Sequence, residues 1–213
     1  MTRMYRPELH PATFVGGATG TWKIDTVRAV TGDALPRARR LEVSVGTDAG
    51  VDAAGAWILR GVAGHERYVE RAEHDRLKPA SPPLGRADAT RAALIPIRKS
   101  PAWWALSQDE RRTIFEGRSR HVADSMPYLP RIARRLYHAR ELGEPFDFLT
   151  WFEFAPEHAQ AFEDLVGMLE HALAMLWAVA AVLAMMGTMK DAATAAISCL
   201  GVWIGPSCGP SAS

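Results

Sequence analysis

His121 and Arg134 are the residues of this sequence with the clearest potential for chemistry. A neutral imidazole can ligate iron or zinc, and a guanidinium keeps its charge and offers fixed donors to an anion. Each also has an ordinary explanation, because a histidine on an apolar face is more often a hydrogen-bonded core residue and a strand arginine can be solvated. The elements that carry the two residues therefore decide between these interpretations.

The segment from Pro101 to about Pro127 has helical spacing, and its first proline suits a helix start. Trp103, Ile114 and His121 are separated by eleven and seven residues. At about 100° per residue, all three fall at nearly the same azimuth of one long helix. This spacing predicts that His121 points toward the core.

A hairpin is predicted after this helix, because residues 132–139 and 146–154 alternate with a period of two around a turn at 140–145. On its first strand, Arg134 shares a face with Ile132 and Leu136, whereas Arg135 lies on the opposite face. Arg134 is therefore the arginine expected beside apolar neighbours, and burying it is costly unless it meets an anion or several acceptors.

Aromatic residues are frequent around the hairpin and at the start of the helix. They are Trp103, Trp104, Phe146, Phe148, Trp151, Phe152 and Phe154. Such a lining suits a flat macrocycle, although aromatic stripes are usually core. The sequence contains no GxGxxG fingerprint, P-loop, HExxH helix or GxSxG elbow, so the common cofactor and hydrolase classes have no support.

The order of the elements predicts an α+β fold. Ala92 to Arg98 is expected to be a strand before the helix and the hairpin, and Pro156 opens a second helix. The order β-α-β-β-α is that of a ferredoxin-like unit, an antiparallel sheet with helices on one face, without its last strand. Upstream, residues 22–30, 41–46 and 56–62 indicate a small antiparallel sheet, and the proline-rich residues 78–83 indicate a connector.

Composition excludes several classes of partner and compartment. The 25 basic and 24 acidic residues are mixed along the chain, which argues against a nucleic-acid partner. Cys199 and Cys208 lie near the end and cannot cross-link the body of the protein. Residues 1–20 contain no continuous apolar stretch that resembles a secretory signal, so we expect a cytoplasmic protein.

Several blocks of the sequence closely resemble one known family. They are Ala92–Trp104, Ser119–His121, Tyr128–Pro130, Leu142–Glu153, Arg60–Val62 and Arg67–Glu73. Together they are similar to the chlorite dismutases, in the short-subunit, dimeric branch with the dimeric α+β barrel fold. The resemblance runs from about residue 12 to residue 170, roughly three quarters of the chain.

The resemblance implies a haem b cofactor and a role for six residues. His121 matches the proximal ligand of the iron, and Arg134, thirteen residues later, matches the distal catalytic arginine. Lys99 matches a lysine near the proximal side. The positions that pack against the haem or approach its propionates fall on Trp103, Trp104 and Tyr68.

The implied activity is conversion of chlorite to chloride and dioxygen by a homodimer. Related coproporphyrin-processing members lack the distal arginine, so Arg134 favours chlorite as the substrate. Two other functions are compatible with the same fold: a catalytically weak haem-binding protein and a peroxidase-like haem enzyme.

The resemblance ends after Glu170. The family glutamate that hydrogen-bonds the proximal histidine should fall at Ala174, and losing such a carboxylate weakens metal affinity or activity by roughly tenfold or more. Residues 172–189 are uncharged and just long enough to span a membrane. This end could be a frame-altered tail, partly disordered or helical, a membrane anchor, or ordinary core.

We therefore expect three parts in the chain. They are a reduced β-rich half over residues 12–80, a ferredoxin-like haem-binding half over 88–170 and a divergent apolar tail over 171–213.

Overall fold

A computed structural model describes residues 10–29, 34–46, 54–63, 75, 77, 79–114, 120–169 and 198–205. Eight strands are present in this part of the chain: β1 (His10–Gly17), β2 (Trp22–Ala29), β3 (Arg40–Val45), β4 (Trp57–Ala63), β5 (Arg91–Arg98), β6 (Ile132–His138), β7 (Phe148–Phe154) and β8 (Ser198–Gly205). The α-helices of the second half are α1 (Pro101–Ala105), α2 (Gln108–Arg112), α3 (His121–Ser125) and α4, residues 159–169; residues 75, 77, 79 and 80 are also helical.

The strands form one antiparallel sheet that closes into a barrel in the order β1-β3-β2-β8-β5-β7-β6-β4. The second half of the chain contributes β8-β5-β7-β6, which is the strand order of a ferredoxin-like unit, so the predicted fold class is confirmed. The first half contributes β4-β1-β3-β2, the same order. It includes β1, which the strand pattern of the sequence did not predict.

The prediction that the ferredoxin-like unit lacks its last strand is wrong. β8 pairs with β5 on one side and with β2 on the other, so it occupies the place of that strand. Ser198–Gly205 lies within the predicted apolar tail, and it is far along the sequence from the strands with which it pairs. No local pattern could assign its partners, because strand pairing at this separation is set by the closing sheet.

The predicted single helix from Pro101 to about Pro127 is also wrong. Leu106 has an extended ψ of 151° and ends α1, and Ser107 then caps α2 through a capping box with Glu110. The Ser-x-x-Glu pattern of residues 107–110 is a sequence signal for such a helix start. Trp103 and Ile114 therefore do not share one continuous helix, and their common azimuth cannot direct His121.

The two faces of the second-half sheet have different coverings. Leu94, Leu149 and Trp151 point into the barrel, where they pack with residues of the first half such as Phe14 and Leu59. The alternate residues point outward, toward the helices. Every residue of β7 is consequently buried, because both faces of this strand are covered.

A close crossing joins β1 to β2. The chain leaves β1 at Gly17, passes the start of β3 and pairs with its other side at Trp22 and Lys23. Gly20 has φ +142°, and a Cβ at this position would lie 2.5 Å from the Leu41 carbonyl carbon. Four residues can make this crossing because a glycine lies where the two backbones meet.

Candidate functional site

The outer face of β5, β7 and β6 forms the floor of the candidate site. Its side chains lie in cross-strand rows: Ile97, Phe148 and His138; Ile95, Thr150 and Leu136; Ala93, Phe152 and Arg134; Arg91, Phe154 and Ile132. At one end, Phe162 of α4 stacks on Phe154 with ring centroids 4.6 Å apart. At the other end, Trp104 of α1 stacks on Phe148 with centroids 6.0 Å apart.

The two middle rows of this floor keep some side chains partly accessible. Ile95, Leu136 and Arg134 are half-buried there, although Thr150 between the first two is buried. Arg134 lies two rows from the Phe148 row, about 13 Å along the strand at about 3.3 Å per residue. A largely apolar surface that carries the Arg134 guanidinium between aromatic walls fits a planar hydrophobic ligand that carries or binds an anion.

Arg134 lies on the predicted face of its strand, together with Ile132 and Leu136. The neighbouring Arg135 points to the other side of the sheet and is exposed. The face that holds Arg134 is directed away from the barrel interior and toward the helices. That direction is a property of the closed sheet and could not be inferred from alternation.

The structure brings Lys99, Trp103 and Trp104 together at one end of the floor. The ammonium of Lys99 lies 4.6 Å from the centroid of the Trp103 ring, which is a cation-π contact. Ser100 caps α1, since its hydroxyl accepts a hydrogen bond from the Trp103 amide at 3.1 Å. Trp103 is only 3% exposed, so this short helix is held firmly on the sheet.

Three functional candidates near these tryptophans were not predicted. Asp147, Arg140 and Arg111 surround Trp104 or hold the residues next to it. Asp147 belongs to one of the blocks that carry the family resemblance, but the resemblance implies no role for it. The sequence signal for Asp147 was its position between Phe146 and Phe148. A carboxylate among apolar neighbours is expected to be buried, and a buried carboxylate requires hydrogen-bond donors.

The indole nitrogen of Trp104 is buried and has no hydrogen-bond partner among the described residues. A buried N–H donor without an acceptor costs free energy, so a ligand acceptor at this point would stabilise the site. The carboxylate groups at the edge of a haem are acceptors that such a donor could bind. The residues present therefore fit the cofactor that the resemblance implies.

His121 is the first residue of α3, and the placement of its side chain is outside the described structure. Arg120 before it has φ +49°, in the left-handed region, and its Nε donates to Asp124 Oδ1 at 3.2 Å. This conformation sets the direction in which the chain enters α3. Tyr68 and Ala174 also lie outside the described residues, so their predicted roles stay predictions.

The described residues contain no helix that is both long and apolar enough to cross a membrane. The uncharged run over residues 172–189, which was the basis for the possible anchor, is not among them.

The chain is similar in sequence and structure to several chlorite dismutases. The dimeric chlorite dismutase from Nitrobacter winogradskyi is 46% identical and superposes with a TM-score of 0.75, over 92% of this chain and 99% of that one. The chlorite dismutase of Ideonella dechloratans is 37% identical over 67 residues, which are 31% of this chain and 22% of that protein.

A more distant structure shares the fold alone. A variant chlorite dismutase from Candidatus Nitrospira defluvii in complex with cyanide is 20% identical, with a TM-score of 0.57 over 94% of this chain and 92% of that one. No family model matches the sequence.

Proposed function

Because this chain belongs to the chlorite dismutase family, we propose that it binds haem b and converts chlorite to chloride and dioxygen. The observation that carries the proposal is the half-buried Arg134 on an apolar, aromatic-walled floor between α1 and α4. The reaction rearranges the atoms of one anion, so a site needs only a redox cofactor, a cation and exclusion of water.

His121 would ligate the iron of the cofactor, and Lys99, Trp103, Trp104 and Tyr68 would hold its ring and acidic groups. Bound haem would supply the redox chemistry that breaks the chlorine–oxygen bonds. Lys99 and the two tryptophans form a wall that is cationic and aromatic at once, which suits a planar ring with anionic substituents.

Arg134 holds the substrate anion. A guanidinium cannot realistically lose its proton, so its charge persists across the whole working pH range. Half-burial beside Leu136 and Phe152 lowers the local dielectric, which strengthens the charge-assisted hydrogen bonds to a chlorine oxyanion. The same apolar neighbours keep water from competing for the guanidinium donors.

An oxygen electrode tests the proposal. Chlorite is added to the purified chain after haem reconstitution, with an absorbance spectrum to establish occupancy. We expect rapid oxygen release by the wild-type protein and a loss of about tenfold or more in Arg134→Ala, because one preorganised cation is removed. Arg135→Ala is the matched control and should keep its activity, since this arginine lies on the opposite face of the same strand.

A second candidate function follows from Ala174, which stands where the family has a glutamate. Without that carboxylate the imidazole is less firmly oriented, and the chain would be a catalytically weak haem-binding protein. A fully loaded wild-type protein that releases no oxygen from chlorite would refute the dismutase proposal and support this alternative.

The assembly we propose is a homodimer, like that of the Nitrobacter winogradskyi protein. Analytical ultracentrifugation of the haem-loaded chain tests it, and a monomer at micromolar concentration would contradict it. A cytoplasmic location stays a prediction.

A further inference from the structure

The placement of Trp104 depends on three polar side chains that have no assigned role and on Phe148 of the floor. We define the Trp104 clamp as Arg111, Arg140, Asp147 and Phe148. The guanidinium carbons of Arg140 and Arg111 lie 4.0 and 5.1 Å from the centroid of the Trp104 ring. Phe148 stacks on the same ring at 6.0 Å with an interplanar angle of 27°.

Arg111 holds the end of α1. It is 8% exposed, and its guanidinium donates to the carbonyl oxygens of Trp103 at 3.0 Å and Trp104 at 2.6 Å. The Trp103 carbonyl oxygen also accepts from the Leu106 backbone amide at 3.3 Å, so Arg111 adds side-chain donors to the last turn of α1, where helix carbonyl groups have few partners. Arg111 therefore fixes the backbone that carries both tryptophans.

Asp147 holds the start of α1 and Arg140 together. It is 7% exposed, and one carboxylate oxygen accepts from the backbone amide of Lys99, next to the helix cap. The other oxygen accepts from Arg140 Nη1 at 3.3 Å. The carboxylate thus links the segment before α1 to the guanidinium that lies on Trp104.

We infer that Asp147 and Arg140 are positioning residues for the cofactor site, and that they orient Trp104 so that its buried indole N–H meets an acidic group at the edge of the bound ring. This inference rests on the proposed function, because it takes haem as the ligand. Its support is the combination of a buried indole nitrogen without a partner among the described residues and two guanidinium groups on the same ring.

Haem affinity of the purified chain tests the inference. The dissociation constant is measured by absorbance titration of the haem-free protein. Arg140→Gln and Asp147→Asn should each raise it about tenfold, the usual size of an effect transmitted through a supporting residue. Asparagine can still accept from the Lys99 amide, so this change removes mainly the ion pair. Arg140→Lys keeps the charge and should recover most of the affinity.

Arg98 supplies a matched control. Its guanidinium lies 5.4 Å from the Phe146 ring and donates to the Pro145 carbonyl oxygen at 2.6 Å, but it makes no contact with Trp104. Arg98→Gln removes one positive charge and one cation-π contact, and the dissociation constant should stay within about twofold of the wild-type value. An equal weakening in this variant would mean a general charge effect and would overturn the inference.

Two further measurements separate positioning from stability. The double variant should bind haem no more weakly than either single variant, because the two residues act as one unit. The thermal midpoint of the haem-free protein should change little, since a half-exposed ion pair adds little to stability. Unchanged haem affinity in both single variants, or a loss of apo-protein stability that accounts for the weaker binding, would overturn the inference.

Failure of the proposed function has a different signature. A wild-type protein that binds haem tightly but releases no oxygen refutes the dismutase activity, whereas the ratios of dissociation constants still test the clamp. A wild-type protein that takes up no haem overturns both.

Discussion

At the scale of single residues, the two sides of the sheet give neighbouring side chains opposite environments. Arg134 faces the site, while Arg135 and Tyr137 belong to the opposite side of the same strand. Tyr137 is fully buried among the aromatic and aliphatic residues of the barrel interior. Burial raises the pKa of the Tyr137 phenol above its ordinary value of 10.0, and the nearby charge of Arg135 only partly offsets this effect.

Alkaline unfolding should report the raised pKa of Tyr137. Above pH 10 the phenol ionises in the unfolded chain before it ionises in the folded one, so the free energy of unfolding falls as pH rises toward the folded pKa. In Tyr137→Phe this fall should be smaller, by at most about 1.4 kcal/mol per pH unit. Urea denaturation between pH 9 and pH 11 measures the difference.

Tyr128→Phe is the control for this measurement. This substitution also removes a phenolic hydroxyl, but from a half-buried tyrosine outside the barrel interior. Parallel pH curves for the wild-type protein and Tyr137→Phe would contradict the expected role of the buried phenol.

At the scale of elements, strands were more predictable than helices. The predicted strands over residues 92–98 and 132–139 agree with β5 and β6 within one residue at each end. Alternation of side chains is a local property of a strand, so the sequence carries it directly. The region after Pro101 has helical spacing throughout, but the capping residue Ser107 starts a new helix there. The periodicity of apolar residues does not reveal where such a cap interrupts a helix.

The crossing between β1 and β2 should tolerate no side chain at Gly20. Gly20→Ala combines an unfavourable positive φ with a collision against the Leu41 backbone. We expect a loss above about 3 kcal/mol in the free energy of unfolding, because backbone strain alone costs about 1–3 kcal/mol and the collision adds to it. Chemical denaturation monitored by circular dichroism measures this loss.

Gly46→Ala separates the two causes. Gly46 also has a positive φ, +123°, but a Cβ there would meet no atom within 4 Å. This variant should show only the backbone strain, about 1–3 kcal/mol. Equal losses in the two variants would mean that the close approach at Leu41 contributes nothing.

At the scale of the whole molecule, β8 completes the barrel. It pairs with β2 of the first half and with β5 of the second. An ion pair between Arg91 and Asp25, 3.5 Å apart, reinforces this junction. Arg91 belongs to β5 and Asp25 to β2, so this pair joins the two strands that flank β8. The floor of the site therefore depends on a strand that comes from the far end of the chain.

Truncation of the chain tests this dependence. Ending the chain at residue 197 removes β8 and leaves the edges of β2 and β5 unpaired. We expect a lower thermal midpoint and concentration-dependent aggregation, because unpaired strand edges recruit other chains. Differential scanning calorimetry and light scattering measure these effects. Ending the chain at residue 205 keeps all eight strands, and this control should aggregate much less.

The sequence by itself determined the ferredoxin-like order of the second half and the strands of the hairpin. It also determined that Arg134 shares a strand face with Ile132 and Leu136. These are local properties, carried by alternation and by turn residues over a few positions. Only the tertiary structure decided that the face of Arg134 lies outside the barrel and beneath the helices. It also brought Arg140 and Asp147 to Trp104 and its helix, and placed β8 between β2 and β5. Such contacts join distant parts of the chain, and they exist only once the sheet has closed.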